Sequence, residues 1–123
     1  MKKNRFLFEN LDVYKKSLEI TEEIFSVTIN FSSKHFSIAN QLNRAVLSVP
    51  LNIAEGCGRK TKKDIKNFYI ISRGSVFESI AIIEICFRLN LINNKLYNKW
   101  RGDFEKISKM ISGLINRYSK TDK

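Results

Sequence analysis

Gln41-Leu42-Asn43-Arg44-Ala45-Val46-Leu47-Ser48-Val49-Pro50-Leu51-Asn52-Ile53-Ala54-Glu55-Gly56 is the stretch on which the fold turns. Here and at its flanks, Ile38, Leu42, Val46, Val49, Ile53 and Cys57 recur at intervals of four, four, three, four and four. That period belongs to an amphipathic helix and excludes the two-residue alternation of a strand. A polar stripe of similar period (Gln41, Arg44, Ser48, Asn52, Glu55, Arg59) runs beside it, and Leu47, Leu51 and Ala54 add a third, apolar edge. Pro50 leaves both stripes in phase. It removes one backbone N–H and crowds the carbonyl of Val46, which costs about 3 kcal/mol in an ordinary helix interior. A helix over residues 38–56, bent at Pro50, is the consequence. Gly56 and Gly58 stop it.

Outward from this segment the same period appears three more times. Leu11, Tyr14, Leu18, Thr21, Phe25 and Thr28 predict a helix over 12–31, with Asn10 or Asp12 as its cap. Thr61 and Asp64 form a capping-box pattern at the head of a helix over 62–90. Its stripe is Ile65, Phe68, Ser72, Val76, Ile80, Ile83 and Phe87, and Ile70, Phe77, Ala81, Ile85 and Leu89 spread apolar surface well beyond it. After Asn93-Asn94, residues Leu96, Trp100, Phe104, Ile107, Ile111, Leu114 and Tyr118 predict a helix over 94–118. Short connections between four such helices imply an all-α, antiparallel up-down-up-down four-helix bundle. The third helix is apolar on more faces than its neighbours can cover, so the bundle is expected to self-associate, in a ring.

Composition agrees. The chain's 123 residues fit one domain, taken as 1–123. A hydrophobic share of 43% with one proline excludes disorder, and five glycines are too few for the turns of a β-sandwich. Cys57, Cys86 and the single His35 match no metal spacing, so no metal and no cofactor are expected. Glu84 interrupts the longest apolar run, which leaves no membrane span and points to the cytoplasm.

Charge carries the functional reading. The formal charge is +10. Part of it is compositional, since 15 Lys, 16 Ile and 12 Asn are favoured by AT-rich coding. The seven arginines are better evidence by position. Arg59, Lys60, Lys62 and Lys63 crowd the junction of the second and third helices, and Arg44 lies on the polar stripe leading to it. A helix N-terminus follows, and its free N–H groups favour anions. These five are the candidate phosphate contacts, with nucleic acid as the expected partner and RNA as its first candidate. No zinc finger, RNP aromatic pair or recognition helix is present, so binding would be weakly specific. Most aromatics fall on core stripes; Tyr69 alone is a candidate base-stacking platform.

Asn52, Glu55, Arg73, Ser75 and Glu78 are expected to form a structural polar network between the second and third helices, with Arg73 as the cation for Glu55 or Glu78. Two alternatives stand beside the binding reading. One is a protein-interaction scaffold that docks an acidic partner. The other is a phosphoester-acting enzyme using Glu55, Arg73 and Glu78, for which no histidine, metal cluster or nucleophile motif speaks. The favoured reading is non-enzymatic, with no catalytic residue.

Phe8-Glu9-Asn10-Leu11-Asp12-Val13-Tyr14-Lys15-Lys16-Ser17-Leu18, Gln41 to Val46, Ser48 to Gly56, Gly58-Arg59, Phe68, Ser72-Arg73-Gly74-Ser75 and Glu78 together resemble the 23S rRNA intervening-sequence proteins. Tyr14 stands where a tryptophan is common there, and Ser72 where alanine is common. The resemblance implies a four-helix bundle that assembles as a homopentamer. The relatives include an accessory protein of diversity-generating retroelements, a basic barrel that binds nucleic acid and a reverse transcriptase. The family at large has no established reaction.

Overall fold

Four helices follow one another near the limits that periodicity predicts: α1 Asp12–Thr28, α2 Phe36–Cys57, α3 Lys62–Arg88 and α4 Asn94–Ser119. The computed structural model describes residues 6–119, with no strand among them. Short 3-10 turns at Leu7–Asn10 and Ser33–His35 lead into α1 and α2.

Side chains crossing between helices define the packing. Ser72 reaches Val49 and Ser75 reaches Ser48 between α3 and α2. Arg73 reaches Ser112, and Phe87 stacks on Tyr97, between α3 and α4. Lys16 meets Asp103 and Glu23 meets Lys99 between α1 and α4. In every pair a later residue on one helix meets an earlier one on the other. The neighbours are antiparallel, as in an up-down-up-down bundle. Trp100, Phe104, Ile107 and Ile111 of α4 fill the centre with Leu42, Val46, Val49 and Ile53 of α2, Ile24 of α1, and Val76 and Ile83 of α3.

The α2–α3 seam is built from small and hydroxylated residues. Ser72 Oγ donates to the Val49 carbonyl at 2.8 Å, and the Ser48 and Ser75 hydroxyls meet at 2.9 Å. Ser79 Oγ donates back to the Ser75 carbonyl at 2.8 Å, so its hydroxyl is buried without loss. α2 continues unbroken through the buried Pro50.

Three expectations need correction. The inward face of α1 is Val13, Ser17, Ile20, Thr21, Ile24 and Thr28, whereas Leu18 and Phe25 lie at its half-exposed edge. The buried face is displaced by about one residue step, or 100°. Its hydroxyls read as polar in sequence but are satisfied locally: Ser17 Oγ donates to the Tyr14 carbonyl and Thr21 Oγ1 to that of Ser17. Secondly, α1 stops at Thr28, short of residue 31, where Thr28 Oγ1 turns to Asn43 of α2. Thirdly, α3 ends at Arg88, and Asn90 adopts a left-handed φ of 61°. The Leu91 and Asn90 N–H groups donate to the carbonyls of Cys86 and Phe87, a Schellman closure in which asparagine takes the usual place of glycine.

Cys86 is fully buried, and that burial pushes its thiol up to about 11. Because the folded value lies above the unfolded one, the stability this group contributes is complete below about pH 9 and fades as pH rises toward 11. Titration of the native protein with a thiol reagent at pH 8 should modify the half-buried Cys57 first, with Cys86 reacting only at the unfolding rate. Equal rates at both thiols would contradict the packing.

Candidate nucleic-acid interface

Cys57 ends α2, and four residues later Thr61 caps α3 by accepting a hydrogen bond from the Asp64 N–H at 3.1 Å. Lys60, Lys62 and Lys63 are exposed around this corner. Arg59 is held on two sides. Its Nη2 pairs with Glu55 Oε2 at 2.6 Å, and its guanidinium lies 4.5 Å from the centre of the Phe68 ring. The helix N-terminus is also partly occupied, because Thr61 takes one backbone N–H and the Asp64 carboxylate sits in the first turn. Lysine charge, more than the helix dipole, makes this corner attractive to anions.

Tertiary packing extends the patch beyond the corner. On α3, Lys62, Lys66 and Arg73 share one edge at i, i+4 and i+11. Arg73 places that edge against α4, since its Nη1 donates to Ser112 Oγ at 3.1 Å. Helical phase puts Lys109 and Asn116 one turn to either side of Ser112, and α4 carries no Asp or Glu from Lys106 to Ser119. Among the described residues, the half-buried Arg73 has a neutral serine as its hydrogen-bond partner and no carboxylate. Dividing each helix at its midpoint sharpens the contrast. The junction end (residues 6–20, 47–75 and 107–119) holds ten Lys and Arg against five Asp and Glu. The other end (21–46 and 76–106) holds seven against six.

A family model described as "23S rRNA-intervening sequence protein" matches residues 9–113, which takes in all four helices. The chain belongs to the 23S rRNA-intervening sequence protein family. A similar solved structure is that of a protein of unknown function from the S23 ribosomal protein family of Bacteroides thetaiotaomicron VPI-5482. It is 25% identical, with a TM-score of 0.77, and the match covers 84% of this chain and 97% of that one. No curated protein shows significant similarity.

Several residues singled out in sequence lie elsewhere in this family member. Arg44 sits on α2 thirteen residues before Cys57, about 20 Å from the basic corner along the helix axis. It lines a groove of about 660 Å³ with Gln41, Ser48, Ser75 and Glu78. Tyr69 is 2% exposed and its hydroxyl lies 3.2 Å from Cys57 Sγ, so it belongs to the core and cannot stack on a base. Burial, and then the bond to Cys57, pushes its phenol up and keeps it neutral.

The expected polar network is likewise divided. Asn52 Nδ2 donates to the Ser48 carbonyl and hydroxyl at 2.8 and 2.9 Å, and Ser75 joins through Ser48. Glu55 instead pairs with Arg59, Arg73 crosses to α4, and Glu78 has no hydrogen-bond or ion-pair partner among the described residues. Arg73 is therefore not the cation of either carboxylate: its side chain crosses to Ser112 of α4, while Glu55 pairs with Arg59 and Glu78 lines the α2–α3 groove. The same separation dismantles the candidate catalytic set of Glu55, Arg73 and Glu78. Among the described residues no three His, Cys, Asp or Glu side chains are grouped to hold a metal ion. None of the helices there is long and apolar enough to cross a membrane.

The linking role of Ser48 and the contributions of Lys66 and Lys109 were not among the sequence candidates. Lys66 and Lys109 are 43 residues apart in the chain, and the pairing of Arg73 with Ser112 brings both to the α3–α4 seam, on opposite sides of that contact.

Proposed function

We propose that the protein is a self-associating, non-catalytic nucleic-acid-binding protein that takes RNA through the basic end of its bundle. The basic junction end carries this reading: Lys60 and Lys63 are exposed at the α2–α3 corner, Lys66 and Arg73 follow on α3, and α4 there has no Asp or Glu from Lys106 to Ser119. Phosphates are the chemistry such an edge recognises, and the family's name makes RNA the first polymer to try. Exposed apolar side chains support self-association. Ile70 and Phe77 on α3 are 41% and 55% exposed, a surface to one side of the α2–α3 groove that a second copy would cover. A closed ring, with five copies the expectation, would repeat the basic end around a rim. Sedimentation velocity at micromolar concentration should show one closed oligomer, and a stable monomer would remove this part of the proposal.

The binding test compares two triple variants of equal charge. Lys60→Ala/Lys62→Ala/Lys63→Ala changes the basic corner; Lys34→Ala/Lys95→Ala/Lys106→Ala changes exposed lysines of the other end. Each lost phosphate contact lowers the salt slope of RNA binding by about 0.7–0.9, so the corner variant should flatten it by roughly 2. The control should leave the slope nearly unchanged. Equal losses in both would reduce the effect to net charge. Binding to acidic proteins that survives competing RNA would point to the scaffold reading.

A further inference from the structure

We propose that the groove between α2 and α3, at the end away from the basic corner, is a binding site for a guanine base. The site can be built outward from the Ser48–Ser75 contact of 2.9 Å, which sets the register of the two antiparallel helices. One turn further along the groove, Arg44 on α2 and Glu78 on α3 stand on opposite walls. Opposite charges so placed commonly close into an ion pair. These two do not pair, and neither has another partner among the described residues. Asn40 and Gln41, on the same wall as Arg44, also have no hydrogen-bond partner there. Ser48 and Ser75 are already satisfied by each other, by Asn52 and by the Ile71 carbonyl. Four polar side chains with unused donors and acceptors thus converge on one cavity of about 660 Å³, within the range of small-molecule sites. The exposed ring of Phe36 completes its wall.

The arrangement of charge selects the ligand. A guanidinium on one wall calls for two adjacent acceptors, and a carboxylate on the other calls for two adjacent donors. Among the four RNA bases, guanine alone presents both on different edges of one plane. Its O6 and N7 suit an arginine, and its N1–H and N2–H₂ donate to a carboxylate. Adenine mixes donor and acceptor on each of these edges. Phe36 supplies the aromatic surface on which unstacked bases rest. The base could come from a free nucleotide or from an unpaired guanosine in RNA, and only the second source rests on the nucleic-acid reading above.

The experiment follows the side-chain amide signals of Asn40 and Gln41 by NMR in the full-length protein. The titrants are guanosine 5′-monophosphate, the adenosine and inosine analogues, and an oligouridylate with and without one guanosine. Guanosine monophosphate or the guanosine-containing oligomer should shift these signals saturably, about tenfold or more tighter than its control. Inosine, which lacks the N2 amino group, should fall between guanosine and adenosine. Arg44→Ala and Glu78→Gln, both surface changes, should each remove the preference while the fold stays intact by circular dichroism. A response to the oligomer alone assigns the site to RNA; a response to the mononucleotide assigns it to free nucleotide as well. Equal response to adenine and guanine, no response to either guanine source, or affinity insensitive to both substitutions overturns the proposal. Signals that still respond to guanosine monophosphate in the Lys60→Ala/Lys62→Ala/Lys63→Ala variant keep this result separate from that of the phosphate-binding test.

Discussion

Trp100→Ala should lower stability by about 3–5 kcal/mol, a large fraction of what a single domain has in total. Trp100 is completely buried at the centre of the bundle, and its indole N–H donates to Glu23 Oε1 at 2.7 Å. The other Glu23 oxygen accepts from Lys99 Nζ at 2.9 Å, and Lys99 also reaches Asp103 at 3.1 Å. The bond to Glu23 is the first reason that the Lys99 ammonium lies above its ordinary range. Two components can therefore be separated. Glu23→Ala leaves the indole packed but strands its N–H, at a cost of about 1–3 kcal/mol. Trp100→Phe keeps most of the apolar contact and removes the donor, leaving a carboxylate that is 33% exposed and can turn to water. In urea unfolding, the double variant should be less destabilised than the sum of the two single variants, with a coupling of about 0.5–3 kcal/mol. Strict additivity would mean that the 2.7 Å hydrogen bond adds nothing to stability.

At Gly56 a single methyl group should destabilise the protein, against the intrinsic preference of a helix. A Cβ there would lie 2.9 Å from Tyr69 Cε1, 3.1 Å from Cδ1 and 3.2 Å from the Phe68 Cβ. The Tyr69 ring cannot simply swing away, because it is buried, bonded to Cys57 and tilted against Tyr118. Replacing glycine by alanine in a helix ordinarily gains about 1 kcal/mol. Overpacking at this contact should outweigh that gain by costing about 1–3 kcal/mol, and Gly56→Leu should cost more. Gly102 provides the control, since a Cβ at that position meets no atom within 4 Å. Gly102→Ala should raise the urea midpoint while Gly56→Ala lowers it. The same sign for both would refute the close α2–α3 approach.

These two sites mark different distances from the sequence. Trp100 was readable as core because Leu96, Trp100, Phe104, Ile107 and Ile111 keep a strict helical period. Its partner was not, because Glu23 is 77 residues away and looks like any solvated carboxylate on an amphipathic helix. Gly56 reads as a helix stop in sequence, but it lies inside α2, whose C-cap is Gly58, and its main constraint is the ring of Tyr69 across the seam.

Local periodicity therefore carried the helices, their order and most of the core, since the period of buried residues depends only on backbone geometry. It misplaced the inward face of α1 by about one residue step, because hydroxyls that bond to their own helix count as polar in a sequence and as buriable in a structure. The basic corner was visible because Lys60, Lys62 and Lys63 are neighbours in the chain. Whether a charge is available is a different property. Arg59 is tied to Glu55 and Phe68, Arg73 faces α4, and Arg44 lies in a separate groove opposite Glu78. Those assignments depend on which helix edge meets which, and that is set by packing between residues tens of positions apart. Segment-by-segment reading could find the cations; antiparallel packing alone brings Lys66, Arg73 and Lys109 to the α3–α4 seam and leaves Arg44 in a separate groove.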